Sequence, residues 1–271
     1  DPAAGGVLRR AGIATLAIVD GDAHGQAADL YLDQNIAAER HPMAGAGAAD
    51  GRRLAGLRYV LLRDAVRAAR PKRPPAPRTR GRLRALCFAG GTDPFGAVPV
   101  LAGLVAAAGV AVDLTVVAAR PEVRSALAAM PALPRGGRLD ILPLTDDLPR
   151  LAARADLVLS ASGTSTWELL CLGVPAGLVC LVENQRDGFQ RTVEQGLAAG
   201  LGRLDDLRAP GGPDGGSAAW HGAVATVRRL LTDPAERAEL SAHGWSAVDG
   251  LGRARVADAV LAEVGRRAAV Q

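Results

Sequence analysis

The sequence predicts an α/β protein built on a doubly wound parallel sheet, and three observations carry that expectation. From residue 84 onward, short runs rich in Val, Leu and Ala alternate with helix-length segments. The strand-length runs are apolar at consecutive positions, as strands covered by helices on both faces must be. Turns of small and hydroxylated residues follow two of these runs, Gly90-Gly91-Thr92-Asp93 and Ser162-Gly163-Thr164-Ser165.

Composition bounds the rest. A chain of 271 residues has room for two domains, and 49% apolar residues supply a sizeable core. Aromatics are scarce at 3%, and the arginines behind the net charge of +4 are mostly balanced by nearby acids, so no nucleic-acid partner is expected. Cys87, Cys171 and Cys180 lie in apolar runs, and their odd number argues against a disulfide framework. The four histidines (24, 41, 221 and 243) have no metal-ligand spacing, so neither metal nor cofactor is expected. The apolar stretches 98–119 and 157–182 are long enough to span a bilayer. Gly109 and Asp113 break the first; Gly163, Glu168, Gly173 and Pro175 break the second. With no signal peptide evident, the expectation is a soluble, cytoplasmic protein.

In chain order, 3–11 reads as a helix end stopped by Gly12, 13–19 as an apolar strand, and 28–33 as a second strand. Residues 36–56 read as loop with some helix, and 58–62 as a brief strand. The proline-rich 71–81 cannot hold regular structure and is expected to be a linker between a first domain, 1–70, and a second, 82–271. The second domain opens with a strand at 84–88, a helix at 97–109, a strand at 111–117 and a helix at 121–129. A strand at 139–142 follows, then a helix at 148–154 capped by Asp146-Asp147, and strands at 157–159 and 176–182. A helix at 186–199 and at least three helical pieces complete the chain.

Three segments carry chemistry. Gly90, Gly91, Thr92 and Asp93 follow a buried strand; the glycines admit a ligand close to the backbone and Thr92 can donate to phosphate. The plainer alternative is a tight turn in which Asp93 caps the next helix. Ser162, Gly163, Thr164 and Ser165 open onto a helix, whose unpaired amides and partial positive charge suit phosphate. Ser165-x-x-Glu168 also matches a capping box, which sequence chemistry favours over Glu168 reaching the vicinal hydroxyls of a ribose. Glu183, Asn184 and Gln185 follow the next strand and suit a polyhydroxylated ligand, the alternative being a solvated turn.

Taken together, G-G-T-D-P, A-D-L-V-L-S-A-S-G-T-S-T-W-E-L-L-C-L-G-V-P and L-V-E-N-Q resemble the UDP-sugar hydrolase family of pseudaminic acid biosynthesis. Its relatives in spore-coat polysaccharide biosynthesis share the pattern, within the GT-B-fold group that includes the lipid II glycosyltransferase. D-L-Y-L-D-Q-N (29–35), L-R-Y-V-L-L-R (57–63) and V-D-G-L-G-R-A-R-V (248–256) extend the resemblance over nearly the whole chain.

The resemblance implies two Rossmann-like domains of GT-B type, the N-terminal one expected to be incomplete, with a nucleotide-sugar, UDP-linked by preference, held mainly by the second. It implies that Glu168 binds the ribose, that residues 90–93 and 162–165 face the diphosphate, and that Asn184 and Gln185 reach the sugar or the α-phosphate. The expected reaction is hydrolysis at the anomeric carbon. The alternatives are glycosyl transfer from the same donor site or a non-catalytic nucleotide-sugar-binding remnant. The family's G-x-G-H-x-x-R segment does not occur in residues 1–271, so the catalytic base is unknown. His24 is the one candidate, and a loop residue is its plainer reading.

Overall fold

The computed structural model describes residues 2–45, 51–209 and 216–269. They form two compact units, one of residues 1–63 with 248–271 and the other of residues 64–247. Each unit carries its own parallel sheet, one of three strands and one of six.

The first unit opens with α1 (Pro2–Arg10), β1 (Leu16–Ile18), β2 (Leu30–Asp33) and β3 (Arg52–Ala55), the strands parallel in the order β1-β2-β3. Tyr31 is fully buried; its hydroxyl donates to the Gln26 carbonyl at 2.6 Å and accepts from the Ala28 amide at 3.0 Å. Asp29 is also buried. It accepts from Arg9 Nε at 3.0 Å, from the Thr15 amide and hydroxyl at 2.9 Å each, and from Arg267.

The second unit runs α2 (Asp64–Ala69), β4 (Leu83–Phe88), α3 (Ala97–Ala107), β5 (Val112–Val117), α4 (Pro121–Ala128), β6 (Arg138–Leu142), α5 (Leu148–Arg154) and β7 (Leu157–Ala161). It continues through α6 (Ser165–Leu172), β8 (Ala176–Cys180), α7 (Arg186–Glu194), β9 (Ala199–Arg203), α8 (Leu204–Arg208), α9 (Ala218–Thr232) and α10 (Pro234–Ala247). The order is β6-β5-β4-β7-β8-β9, every pair parallel. Leu157, Leu159 and Ala161 face a core shared with α3 and α9, while Val158 and Ser160 alternate to the other face. There α2, α5, α6 and α10 pack on one another. Helices on both faces explain why these strands read as continuous apolar runs. Finally α11 (Gly252–Ala268) rejoins the first unit, where Val256 and Ala259 pack on Leu30, Leu32 and Leu54.

The structure corrects several expectations. Residues 36–56 contain β3, hidden from the sequence because R-R-L-A buries only Leu54. The expected strand at 58–62 is a 3₁₀ turn at Leu57–Tyr59 with extended residues after it. No strand among the described residues pairs with it; instead Arg255 donates to the Arg58 carbonyl, and a Cβ on Gly252 would stand 2.2 Å from the Val60 carbonyl oxygen. Helix 186–199 stops at Glu194, and 199–203 is a sixth strand whose Gly200 lets Phe189 and Val193 pack against bare backbone. Asp147 makes no side-chain cap on α5. The proline-rich segment expected to be a linker lies along the second unit: Trp245 donates to the Pro71 carbonyl, Arg237 to that of Arg78 and Ser241 to that of Pro75.

Asp29 makes the first unit's stability depend on pH. Burial alone would raise its pKa, but the hydrogen bonds from Arg267 and Thr15 outweigh it and hold the carboxyl at about 2 instead of 3.8. This stabilisation, about 2 kcal/mol, is present above pH 3.8 and is lost as pH falls through about 2. The difference in unfolding free energy between wild type and Asp29→Asn should therefore shrink between pH 5 and pH 2, as read by chemical denaturation. A difference constant with pH would contradict it.

Candidate functional site

The order β6-β5-β4-β7-β8-β9 places a topological switch between β4 and β7. From β4 the chain winds outward through β5 and β6, then crosses back to β7 and winds the other way. Helices leaving the two central strands depart to opposite faces, which opens a crevice at the carboxyl ends of those strands. Phe88 pairs with Ser160 and Ala161 with Val179, so the turns after β4, β7 and β8 emerge side by side. All three segments singled out in the sequence therefore meet at one edge.

The turn after β4 exposes Gly90, Gly91 and Thr92 and buries Asp93. Gly90 has φ +65°, and the space where its side chain would lie is open, as it is for Gly91. Asp93 is 3% exposed and accepts from the Ala97 amide at 2.7 Å and the Val98 amide at 3.0 Å. Its carboxylate thus occupies the first donors of α3. From α8, Arg208 donates to the carbonyls of Phe95 and Gly96 at 2.7 and 2.6 Å, holding the turn from its far side.

The turn after β7 is built differently. Ser162 is buried and donates its amide to the Val179 carbonyl at 2.9 Å, which extends the β7–β8 pairing into the turn. Thr164 is the residue before α6 and makes no side-chain cap, while Ser165 is the first helical residue. The S-x-x-E spacing thus misses the capping-box register by one residue, and the capping reading of Glu168 does not describe this helix start. Glu168 lies half-buried at the fourth helical position. A Cβ on Gly163 would stand 3.8 Å from Gln185 Nε2, which shows how closely the turns after β7 and β8 approach.

After β8, Gln185 folds back and its Oε1 accepts from the Leu181 amide at 3.0 Å. Asn184 is exposed. Glu183 accepts from Arg186 at 3.0 Å and from Arg203 at 2.7 Å. The hydrogen bonds from Arg203 and then Arg186 hold its carboxyl below the ordinary range. Arg203 was missed in the sequence because no strand was read at 199–203; the exit of a strand beside β8 would have signalled it.

The remaining candidates lie elsewhere. His24 belongs to the first unit, where it is an exposed turn residue with φ +48° and its amide donates to Asp22 Oδ1 at 2.7 Å. Asp33, Gln34 and Asn35 are structural there: Asp33 accepts from Arg53 at 2.9 Å, Gln34 from the Leu61 amide at 2.9 Å, and Asn35 donates to Asp20 at 2.6 Å. The three cysteines are free and buried, and burial raises the pKa of the Cys180 thiol. Among the described residues no group of three His, Cys, Asp or Glu side chains is placed to hold a metal ion. No helix among them is long and apolar enough to cross a membrane.

No family model matches the chain, and no curated protein sequence matches it. Solved structures do match in fold. MurG from Acinetobacter baumannii superposes with a TM-score of 0.63 at 15% identity, over 96% of this chain and 70% of that one. Arabidopsis thaliana UGT89C1 complexed with UDP matches with a TM-score of 0.58 at 12% identity, over 97% of this chain and 70% of that one. The glycotransferase of kitacinnamycin matches with a TM-score of 0.53 at 18% identity, over 87% of this chain and 55% of that one, so this chain spans little more than half its length. These likenesses show the fold: two Rossmann-like α/β units of the GT-B class.

Because Asp93 is a buried cap, Asp93→Ala should destabilise the second unit by about 1–2 kcal/mol, and Asp93→Asn by less. Denaturant titration checks this; an Asp93→Ala effect below ~0.5 kcal/mol, the range of ordinary surface changes, would contradict it.

Proposed function

We propose that the second unit is the donor site of an enzyme that uses a UDP-sugar. The observation that carries this reading is the convergence of the turns after β4, β7 and β8 at the switch point between β4 and β7. Exposed, side-chain-free backbone at Gly90 and Gly91 suits a close approach by a diphosphate, with Thr92 donating from the same turn. The start of α6 supplies a second set of donors, the amides of Thr164 and Ser165, since those of Thr166 and Trp167 already bond back to the Gly163 and Thr164 carbonyls. Its amides carry the partial positive charge of the helix, and no side chain of Thr164 caps them. The start of α3 is assigned no such role, because Asp93 already occupies its first amides.

Glu168, one turn into α6, is assigned the ribose hydroxyls, and Asn184 and Gln185 the sugar or the α-phosphate. Glu183, paired with both Arg186 and Arg203, leaves an excess guanidinium beside the expected phosphates. In the reaction the bond between the anomeric carbon and the diphosphate oxygen breaks, and negative charge accumulates on the departing UDP. Donors fixed at α6 stabilise that charge as it develops, the electrostatic contribution that weighs most in such chemistry.

Transfer of the sugar to an acceptor is the reading that the fold neighbours favour, since one is a glycotransferase and another is complexed with UDP. Hydrolysis is the second reading, and it rests on the sequence resemblance to the UDP-sugar hydrolase family. Incubation of the protein with a UDP-sugar and no acceptor separates them. Free sugar released at a catalytic rate selects hydrolysis; release of UDP only when an acceptor is added selects transfer.

Calorimetric titration with UDP tests the donor site itself. Glu168→Ala removes two charge-assisted hydrogen bonds at a position where alanine suits the helix, so affinity should fall about 10- to 100-fold with the fold intact. Equal affinities for wild type and variant would overturn the ribose assignment.

A further inference from the structure

At the opposite end of the same sheet, below the amino ends of β4, β7 and β8, lies a cavity of about 300 Å³. The proline-rich segment forms one wall and α10 another, and the lining includes Arg78, Arg84, Arg154, Asp156, Arg237 and Ser241. Four arginines and a single carboxylate thus line it. Asp156 accepts from Arg78 Nε at 3.1 Å and from the Arg84 amide at 2.8 Å, with Arg84 Nε at 3.6 Å. That leaves Arg154, exposed at the end of α5, and Arg237, 2% exposed, with no carboxylate in ion-pair contact among the described residues.

Arg237 is the telling residue. Its two terminal nitrogens donate to the carbonyls of Leu230 at 2.7 Å and Arg78 at 2.8 Å, and its buried Nε has no partner. A guanidinium taken out of water without a counterion is costly, and burial pushes its pKa below the ordinary value despite attraction from Asp156 and Asp233. An anion in the cavity would supply the missing charge. Clustered guanidinium forks match the oxygens of phosphate, singly or in pairs, better than lysine ammonium groups would.

We propose that this cavity binds a phosphate monoester, at a site separate from the donor site at the carboxyl ends of the strands. The cavity volume exceeds that of the phosphate alone and leaves room for a small organic group on the ester. Soluble metabolites and the headgroup of a phosphatidic acid both present this chemistry.

The test is amide-resolved NMR of the full chain titrated with glycerol 3-phosphate, against sodium chloride at matched ionic strength. Saturable shifts are expected at residues 76–78, 84 and 153–156. Arg154→Gln, at an exposed position that leaves the core intact, should weaken binding roughly 3- to 10-fold. Arg237→Met should abolish it; if that variant fails to fold, Arg154→Gln still decides. Co-sedimentation with phosphatidic acid vesicles, lost in Arg154→Gln, would assign the site to the lipid headgroup, and glycerol 3-phosphate binding without co-sedimentation to a soluble ester. Shifts that sodium chloride reproduces, saturable shifts confined to 89–93 and 161–165, or unchanged affinity in Arg154→Gln would overturn the proposal.

Discussion

The parallel pairing of β4 with β7 is the constraint on which the second unit depends. Neither strand follows the other in sequence, so their contact forces the chain to reverse its winding. Phe88 beside Ser160 fixes the register, and from that register the turns at 90–93 and 162–165 inherit their proximity. Central strands buried on both faces tolerate no slip, because a shift of one residue would turn Val158 and Ser160 into the core occupied by Leu157 and Leu159. The site is thus positioned by core packing, with Asp93 on α3, Ser162 on Val179 and Gln185 on Leu181 tying its turns to the frame.

Asp93 shows how the sequence's two readings of one residue were resolved. A carboxylate that satisfies two helix amides while 97% buried is committed to the turn, and this commitment leaves Gly90 to Thr92 as the exposed part. At α6 the helix register differs from the one the sequence suggests. The helix begins one residue later than a capping box would require, so Glu168 lies one turn in, at the fourth helical position.

Most of the second unit was legible because its central strands are uninterrupted apolar runs and several helices carry a start signal, Gly96 before α3, Pro121 opening α4, Asp147 before α5 and Asp233 before α10. What escaped was written in glycine and arginine. A-G-L-G-R, residues 199–203, lacks the β-branched residues that mark a strand, and its Gly200 admits Phe189 and Val193. With β9 unseen, Arg203 and its bond to Glu183 were unseen as well. The first unit was harder still: β1 and β3 are three and four residues long, and α11, which completes its core, comes from the other end of the chain. No local pattern can announce a partner more than 190 residues away, although Arg267 on Asp29 makes the pairing specific once formed.

Charge is distributed unevenly over the second unit. At the carboxyl ends of the strands the arginines are largely answered, Arg186 and Arg203 by Glu183. At the amino ends they outnumber the acids around a cavity. The donor-site assignment stands or falls on the first of these edges. Hydrogen exchange of the full chain with and without UDP reads it directly. Slowed exchange on UDP addition at 89–92, 162–166 and 181–185 is the predicted result. No slowing there, or slowing confined to other segments, would contradict it.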